Sequence, residues 1–291
     1  MTEEGRIVAN DLAVIIPVHN RQRLLERAVA GVVGQLQAGV HIVVVDDGSQ
    51  PPVDAARIAG PQVTLVRVEH GGVSNARNAG VAAVPDARWV TFLDSDDEPM
   101  SGWIDEIIAS QRSGASMFSC AARYEWDDGT VETPVPVPLW SSPPGAPRAQ
   151  FLAGTFAVAS AVFHAAGGYR AGLRHGENTD LGWRIASVLQ ERRAACTSTD
   201  QPLVRVHSRR VRAEPAVRLE SALMVLADPP PMLLADARTL GSYHAIAGDS
   251  AWRLGMRRAA VRHFANALRA DPRQPRHLAR LLRALVKRVP R

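Results

Sequence analysis

Four short apolar runs, at residues 12–18, 41–45, 63–68 and 89–93, set what this chain can fold into. The first is free of interruption, as a strand covered on both faces is, and each closes on polar residues. After the first run, Leu24, Leu25, Ala28, Val29, Val32, Val33 and Leu36 recur at helical spacing, with Arg21, Arg23, Glu26 and Arg27 on the opposite face. Residues 73–84 form a second such helix ahead of the fourth run. Strand and helix alternating at these lengths imply right-handed crossovers, and so an α/β chain with a doubly wound, mostly parallel sheet.

Further along, residues 101–113 read as an amphipathic helix, 117–124 as an extended segment, 156–163 as a strand, 180–189 as a helix and 203–206 as a short strand. Residues 134–147 carry repeated prolines, which neither a helix interior nor a central strand accepts, and are expected to form a functional loop or lid. From about Pro215 only helical patterning remains. Within it, Gly248, Gly255, Ala260, Phe264, Ala267 and Pro272 fit one tetratricopeptide-type hairpin. The expected division is therefore a sheet domain at 1–212 and a helical region at 213–291.

With 291 residues and 46% hydrophobic content, the chain buries a large core, which excludes disorder as its main state. Its two cysteines, Cys120 and Cys196, have no metal-type spacing and fit a reducing cytoplasm. The segment from Met1 to Gly5 lacks a secretory pattern, and no apolar stretch approaches the roughly 20 residues of a membrane span. The expectation is a cytoplasmic protein, soluble or peripheral to a membrane.

Three polar clusters end strands of the first third: Pro17-Val18-His19-Asn20, Asp46-Asp47-Gly48-Ser49 and Asp94-Ser95-Asp96-Asp97. A parallel sheet brings such ends to one edge, where open α/β folds bind ligands. Crowded carboxylates repel unless a cation sits among them, and hard oxygen ligands suit Mg²⁺ or Mn²⁺. The alternative for the last cluster is an acidic turn that caps the next helix. Asp47 can accept from an imide N–H such as that of uracil, Asp94 from a ribose hydroxyl, and Asp96 can bind a metal bridging a diphosphate. Neither Gly-x-Gly-x-x-Gly nor a P-loop follows a strand, so dinucleotide and P-loop readings lack a phosphate cradle.

The segments LAVIIPVHN (12–20), VVVDDGS (43–49), GVSNARNAG (72–80) and VTFLDSDD (90–97) together resemble the ordered signature of family 2 glycosyltransferases of the GT-A, Rossmann-like fold. A fifth element, GENTDLGWR (176–184), stands where that family places its acceptor-side motif. The resemblance implies a metal-dependent, inverting transfer of a sugar from a nucleotide diphosphate donor, a UDP-sugar above all. The acceptor is a glycan, a lipid-linked sugar, a peptide or a small molecule. It implies that Asp47 reads the base, with Asp46 as a weaker candidate, and that Pro17 and Val18 pack against the nucleotide. Arg77 would sit near the uridine or diphosphate, where a permanent cation suits phosphate; the alternative is a helix-surface arginine. Asp94 and Ser95 would line the ribose side, Asp96 would hold Mg²⁺ or Mn²⁺, and His207 resembles a histidine near the metal and diphosphate. A surface or core histidine is the other reading of His207.

One departure stands out. The family motif normally reads Glu-Asp with the Asp as base, whereas this chain has Glu177-Asn178, and an amide oxygen is too weakly basic to take a proton. The expected replacements are Asp180 and Glu177 in a shared role, although Asp180 also suits a helix start by its charge. The same departure motivates a second reading, a nucleotide-sugar-binding or scaffolding protein without turnover. The C-terminal arginines are the usual solvated face, but leucines among them permit docking to an anionic membrane. Helical packing there also permits a homo-oligomer, while sparse aromatics argue against nucleic acid.

Overall fold

The structure is a computed structural model, and it describes residues 11–58, 60, 62–139, 147–208 and 213–286. The N-terminal segment, residues 140–146 of the proline-rich loop, and Lys287, Arg288 and Arg291 of the basic tail lie outside the described residues. The chain divides into two compact units. One runs through Gly172 and resumes from Val188 through the last strand; the other joins Leu173–Ser187 to the C-terminal helices.

In the first unit, β1 (Leu12–Val18), β2 (Val40–Asp47), β3 (Val63–Val68) and β4 (Trp89–Phe92) pair in parallel in the order β3-β2-β1-β4. Helix α1 (Gln22–Val33) connects β1 to β2, and α2 (Val73–Ala82) connects β3 to β4. Alternation along β1 divides the core. Leu12, Val14, Ile16 and Val18 pack with Leu25, Ala28, Val29 and Val32 of α1, all buried. The opposite face takes α2 at very close range: a Cβ on Gly80 would overlap the side chains of Ile15 and Val45. Both faces of β1 and β2 are thus covered, which explains their apolar runs; the edge strand β3 instead carries exposed Thr64 and Arg67.

Beyond β4 come β5 (Glu98–Pro99), α3 (Trp103–Arg112), β6 (Met117–Trp126), β7 (Val131–Glu132), β8 (Val137–Pro138), β9 (Arg148–Ala149), β10 (Phe156–Ala159), α4 (Ser160–Ala165), α5 (Glu177–Arg192) and β11 (Cys196–Ser208). The sheet continues β4-β10-β6-β11-β5, with β10 antiparallel to both neighbours, β11 parallel to β6, and β7 on the edge of β6. The sheet is mostly parallel, as expected. Three element boundaries differ. The run at 156–163 breaks at Ser160, whose N–H donates to the Arg88 carbonyl and whose hydroxyl donates to that of Ala87, turning the chain into α4. The strand at 203–206 extends from Cys196 to Ser208, because β6 pairs with it throughout, across register shifts around Thr199 and Pro202 that mask the pattern in sequence. Helix α5 starts earlier and ends later than residues 180–189. The proline-rich segment forms a small ribbon where β8 pairs with β9, and Arg148 clamps it by donating to the Pro136 carbonyl at 2.7 Å.

The helical unit contains α6 (Pro215–Ala227), α7 (Pro231–Ala235), α8 (Ala237–Arg253), α9 (Arg257–Ala270) and α10 (Pro275–Val286). Asp236 caps α8 by accepting from the Arg238 and Thr239 N–H groups. Helices α8 and α9 form the expected hairpin: the ring of Phe264 lies 2.6 Å from where a Cβ on Gly248 would stand, so only glycine fits there. No helix of the described residues is long and apolar enough to cross a membrane.

Candidate functional site

The carboxyl ends of β1 and β2 are stitched together. His19 Nδ1 lies 2.7 Å from the Asp47 carbonyl, Asn20 N–H donates to Ser49 Oγ at 2.9 Å, and Gln50 N–H donates to Asn20 Oδ1 at 2.7 Å. The two aspartates at the β2 end have different duties. Asp46 is buried and accepts from the Ser49 and Val53 N–H groups and from Arg67. Burial acts to raise its pKa, but these hydrogen bonds and the Arg67 charge together hold it below the usual carboxylate range. Asp47 turns outward to the segment before α2, accepting from the Gly71 N–H at 2.8 Å and the Gly72 N–H at 3.0 Å, with His70 Nδ1 at 3.0 Å. Gly48 between them has φ 70°, and any side chain there would strike His70.

The arginine of α2 is not on a helix surface. Arg77 is 1% exposed; it donates to Asp94 Oδ1 at 2.6 Å, and its guanidinium carbon lies 4.9 Å from the centre of the Tyr169 ring. The next residue, Asn78, fixes that tyrosine's backbone, donating to the Tyr169 carbonyl and accepting from its N–H. Arg77-Asn78 therefore couples α2 to the β4 end and to the turn after α4.

In the acidic turn, Asp97 N–H donates to the Asp94 carbonyl, while Asp96 stands out and meets Arg21 at 2.6 Å. Arg27 donates to the Asp96 carbonyl and pairs with Glu98 at 3.0 Å. Asp97 is buried and accepts from the His207 N–H. Burial, reinforced by the charges of Asp94 and Asp96, pushes its pKa up to about 8. The His207 ring turns to Glu98, with Nε2 2.7 Å from Oε1. Of the other expected residues, Pro17, Val18 and Ser95 are buried at the same edge; Val18 is spent on the core with α1.

Two places could hold a cation. Among the described residues, His19, Asp47 and His70 bring three ligand-type groups within 4.8 Å of one another, whereas Asp96 and His207 join no such group of three. The His19 and His70 rings, however, stack at 4.1 Å with planes 26° apart. Imidazole lone pairs lie in the ring plane, so two stacked rings do not aim at one ion about 2.1 Å away. In this arrangement the trio is a polar wall beside Asp47. The acidic turn is the better fit: its donors are hard oxygens, its carboxylates repel, and the Asp96 carboxylate pairs with an exposed arginine, Arg21, that a hard divalent ion can displace.

Glu177 and Asp180 belong to the helical unit. Asp180 is fully buried and takes two bonds from Arg184, at 3.0 Å from Nε and 2.6 Å from the terminal nitrogen. Both bonds fall on Oδ2, so this carboxylate is enclosed and engaged by a permanent cation. Glu177 is half-buried at the first turn of α5, with Asn178 Nδ2 3.4 Å from its Oε1.

Residues 13–175, more than half of the chain, match the family model described as glycosyl transferase family 2. The chain belongs to that family. Among curated relatives, the pre-mycofactocin glycosyltransferase of Mycobacterium tuberculosis is 31% identical over 199 residues, which cover 60% of this chain and 39% of that protein. The succinoglycan biosynthesis protein ExoW of Rhizobium meliloti is 39% identical over 94 residues, 30% of this chain and 29% of that one. The chain thus spans well under half the length of these relatives. In fold it is similar to S. aureus TarS 1-349, solved in complex with UDP-GlcNAc, at a TM-score of 0.64 with 15% identity, covering 96% of this chain and 88% of that one. The family 2 GT-A architecture, with a helical C-terminal region, is the one expected.

Four residues at this family 2 site went unassigned in sequence: Arg21, Arg27, His70 and Tyr169. His70 alone had a local signal, a polar residue just before the glycines that open α2. The arginines look like ordinary solvated positions of α1, and Tyr169 follows two glycines with no periodic context.

Proposed function

We propose that this chain transfers a glycosyl group from a nucleoside-diphosphate sugar, a UDP-sugar, to an acceptor hydroxyl with inversion at the anomeric carbon. The observation that carries the reading is the convergence, in a family 2 chain, of Asp47 from the end of β2, Arg77 from α2, and Asp94 and Asp96 from the end of β4 on one sheet edge. TarS, similar in fold, was solved with UDP-GlcNAc, which supports the donor class. Asp47 orders the segment before α2 as one wall for the base. Arg77 fixes Asp94 in place to accept from the ribose. Asp96 is the residue that would hold Mg²⁺ or Mn²⁺, and His207 would join it by leaving Glu98. When bound, the ion supplies positive charge to the leaving diphosphate.

Deprotonation of the acceptor falls to Glu177 in this proposal, since Asn178 lacks the basicity and Asp180 is enclosed by Arg184. Isothermal titration with UDP and Mn²⁺ tests the donor side: binding should be lost in Asp96→Ala, and undiminished binding there would sink the metal assignment. Metal-dependent UDP release from a panel of UDP-sugars tests turnover. Tight binding without release, with candidate acceptors present, would favour the second reading that Asn178 motivates, a nucleotide-sugar-binding protein.

A further inference from the structure

The charge of this chain is distributed unevenly. From Arg257 to Arg291 there are eleven cationic side chains and one carboxylate, Asp271, whereas the preceding 256 residues carry 23 cationic and 28 acidic ones. A chain of net charge +5 is therefore an acidic protein with a strongly basic helical end.

Helix α10 adds an apolar surface to that charge. Its inner face, with His277, Leu281 and Ala284, packs into the helical unit. Its outer face carries Leu278, Leu282, Leu285 and Val286, which are 47%, 52%, 50% and 84% exposed. These positions, i, i+4, i+7 and i+8, form one stripe along the helix. Arg276 and Arg283 are exposed beside it, Arg283 lying over the Trp252 ring at 5.8 Å. Arg257 donates to the carbonyls of Ala284 and Leu285, so the turn between α8 and α9 meets the end of α10. That turn exposes Leu254 and Met256, which extends the apolar surface around the same end.

We propose that the α10 face docks on an anionic lipid surface, with the leucine stripe entering the headgroup region and the arginines of α9 and α10 meeting lipid phosphates. A polybasic helix face that also exposes leucines has the composition of an interfacial helix. A second copy of the chain is a poor occupant, because a two-fold contact would bring two such cationic faces together. Nucleic acid would use the charge but leave the leucines without a role.

Flotation of the full chain tests this with two kinds of vesicle: phosphatidylcholine alone, and phosphatidylcholine mixed with phosphatidylglycerol. The chain should float with the anionic vesicles at low salt, at least roughly tenfold more than with the neutral ones, and high salt should weaken the binding. Leu282→Ser/Leu285→Ser should cut flotation about tenfold while leaving the thermal melt unchanged, since both side chains are exposed. Arg273→Glu/Arg276→Glu should do the same. Absence of flotation with anionic vesicles overturns the proposal, as does binding indifferent to the leucine substitutions. A concentration-dependent dimer broken by those substitutions, without vesicle binding, assigns the face to a second copy instead.

Discussion

Arg77 and Asp94, seventeen residues apart, form an ion pair whose cation is enclosed and whose anion is about one-third exposed, at 2.6 Å. Enclosing the guanidinium makes its geometry rigid, and the Tyr169 ring below it adds a cation–π contact. The partly open carboxylate inherits that rigidity. In the proposed donor site Arg77 would therefore act through Asp94 as much as by its own charge.

Arg77→Met leaves Asp94 without this counter-ion in a turn that also holds Asp96 and Asp97. We expect a loss of about 2 kcal/mol in urea unfolding, below the range for fully buried pairs because Asp94 keeps solvent access. Arg77→Lys should fall between Met and the native residue, since a point charge cannot both reach Asp94 and cover the Tyr169 face. Equal stability of all three proteins would mean that the pair is ornamental.

Glu177→Gln and Asp180→Asn should separate cleanly. The first should lower turnover by about 10²–10⁴-fold with an unchanged melting curve, as for a lost general base. The second should destabilise the chain by about 3 kcal/mol, because Arg184 then keeps a largely buried charge without its anion. The opposite pattern in urea melts and UDP-release assays would return the base to Asp180.

Asp47→Asn places an amide NH₂ or a neutral oxygen where two backbone N–H groups now meet a carboxylate. UDP affinity measured by titration should fall by about tenfold as the 70–72 segment loosens. Unaltered affinity would confine Asp47 to shaping its own turn.

The helical unit should be acid-sensitive. His244 and His263 face each other with their Nδ1 atoms 3.3 Å apart, which requires at least the accepting ring to be neutral. Burial lowers the pKa of His244, His263 and His277 from the ordinary 6.5, with neighbouring charges reinforcing it at His263. The unfolded chain then binds protons first, so stability is fully present above 6.5 and is lost as pH falls below it toward the lowered folded values. Helical content followed by circular dichroism in thermal melts should show a melting temperature flat above about pH 7 and falling below it. His263→Gln should flatten that slope.

The four parallel strands and α1 were legible because apolar runs and helical spacing are local signals, and both reflect burial that the sheet imposes on each face. The strand-end aspartates were legible as a set because parallel topology alone makes their ends meet. Their division of labour was not. Asp46 and Asp47 are chemically identical buried neighbours, and only the Ser49 turn on one side and the Gly71-Gly72 amides on the other show which segment each carboxylate fastens. Asp180 shows a related limit: its helix-start position was evident, but that Arg184 one turn on would enclose it was not. β11 was half hidden because its irregular stretch around Pro202 disguises a strand stabilised by pairing with β6 and not by its own pattern.

Arg21 occupies Asp96 in the resting protein, and Arg27 grips the same turn from its carbonyl. An acidic loop that carries its own tethered counter-ions works as an ion exchanger. In the proposed metal site a cation arriving at Asp96 would displace a guanidinium to water, so affinity there would be set by the difference between two cations and not by the bare carboxylate. Lengthening, shortening or neutralising Arg21 would thus retune metal affinity at the proposed site without altering a single ligand.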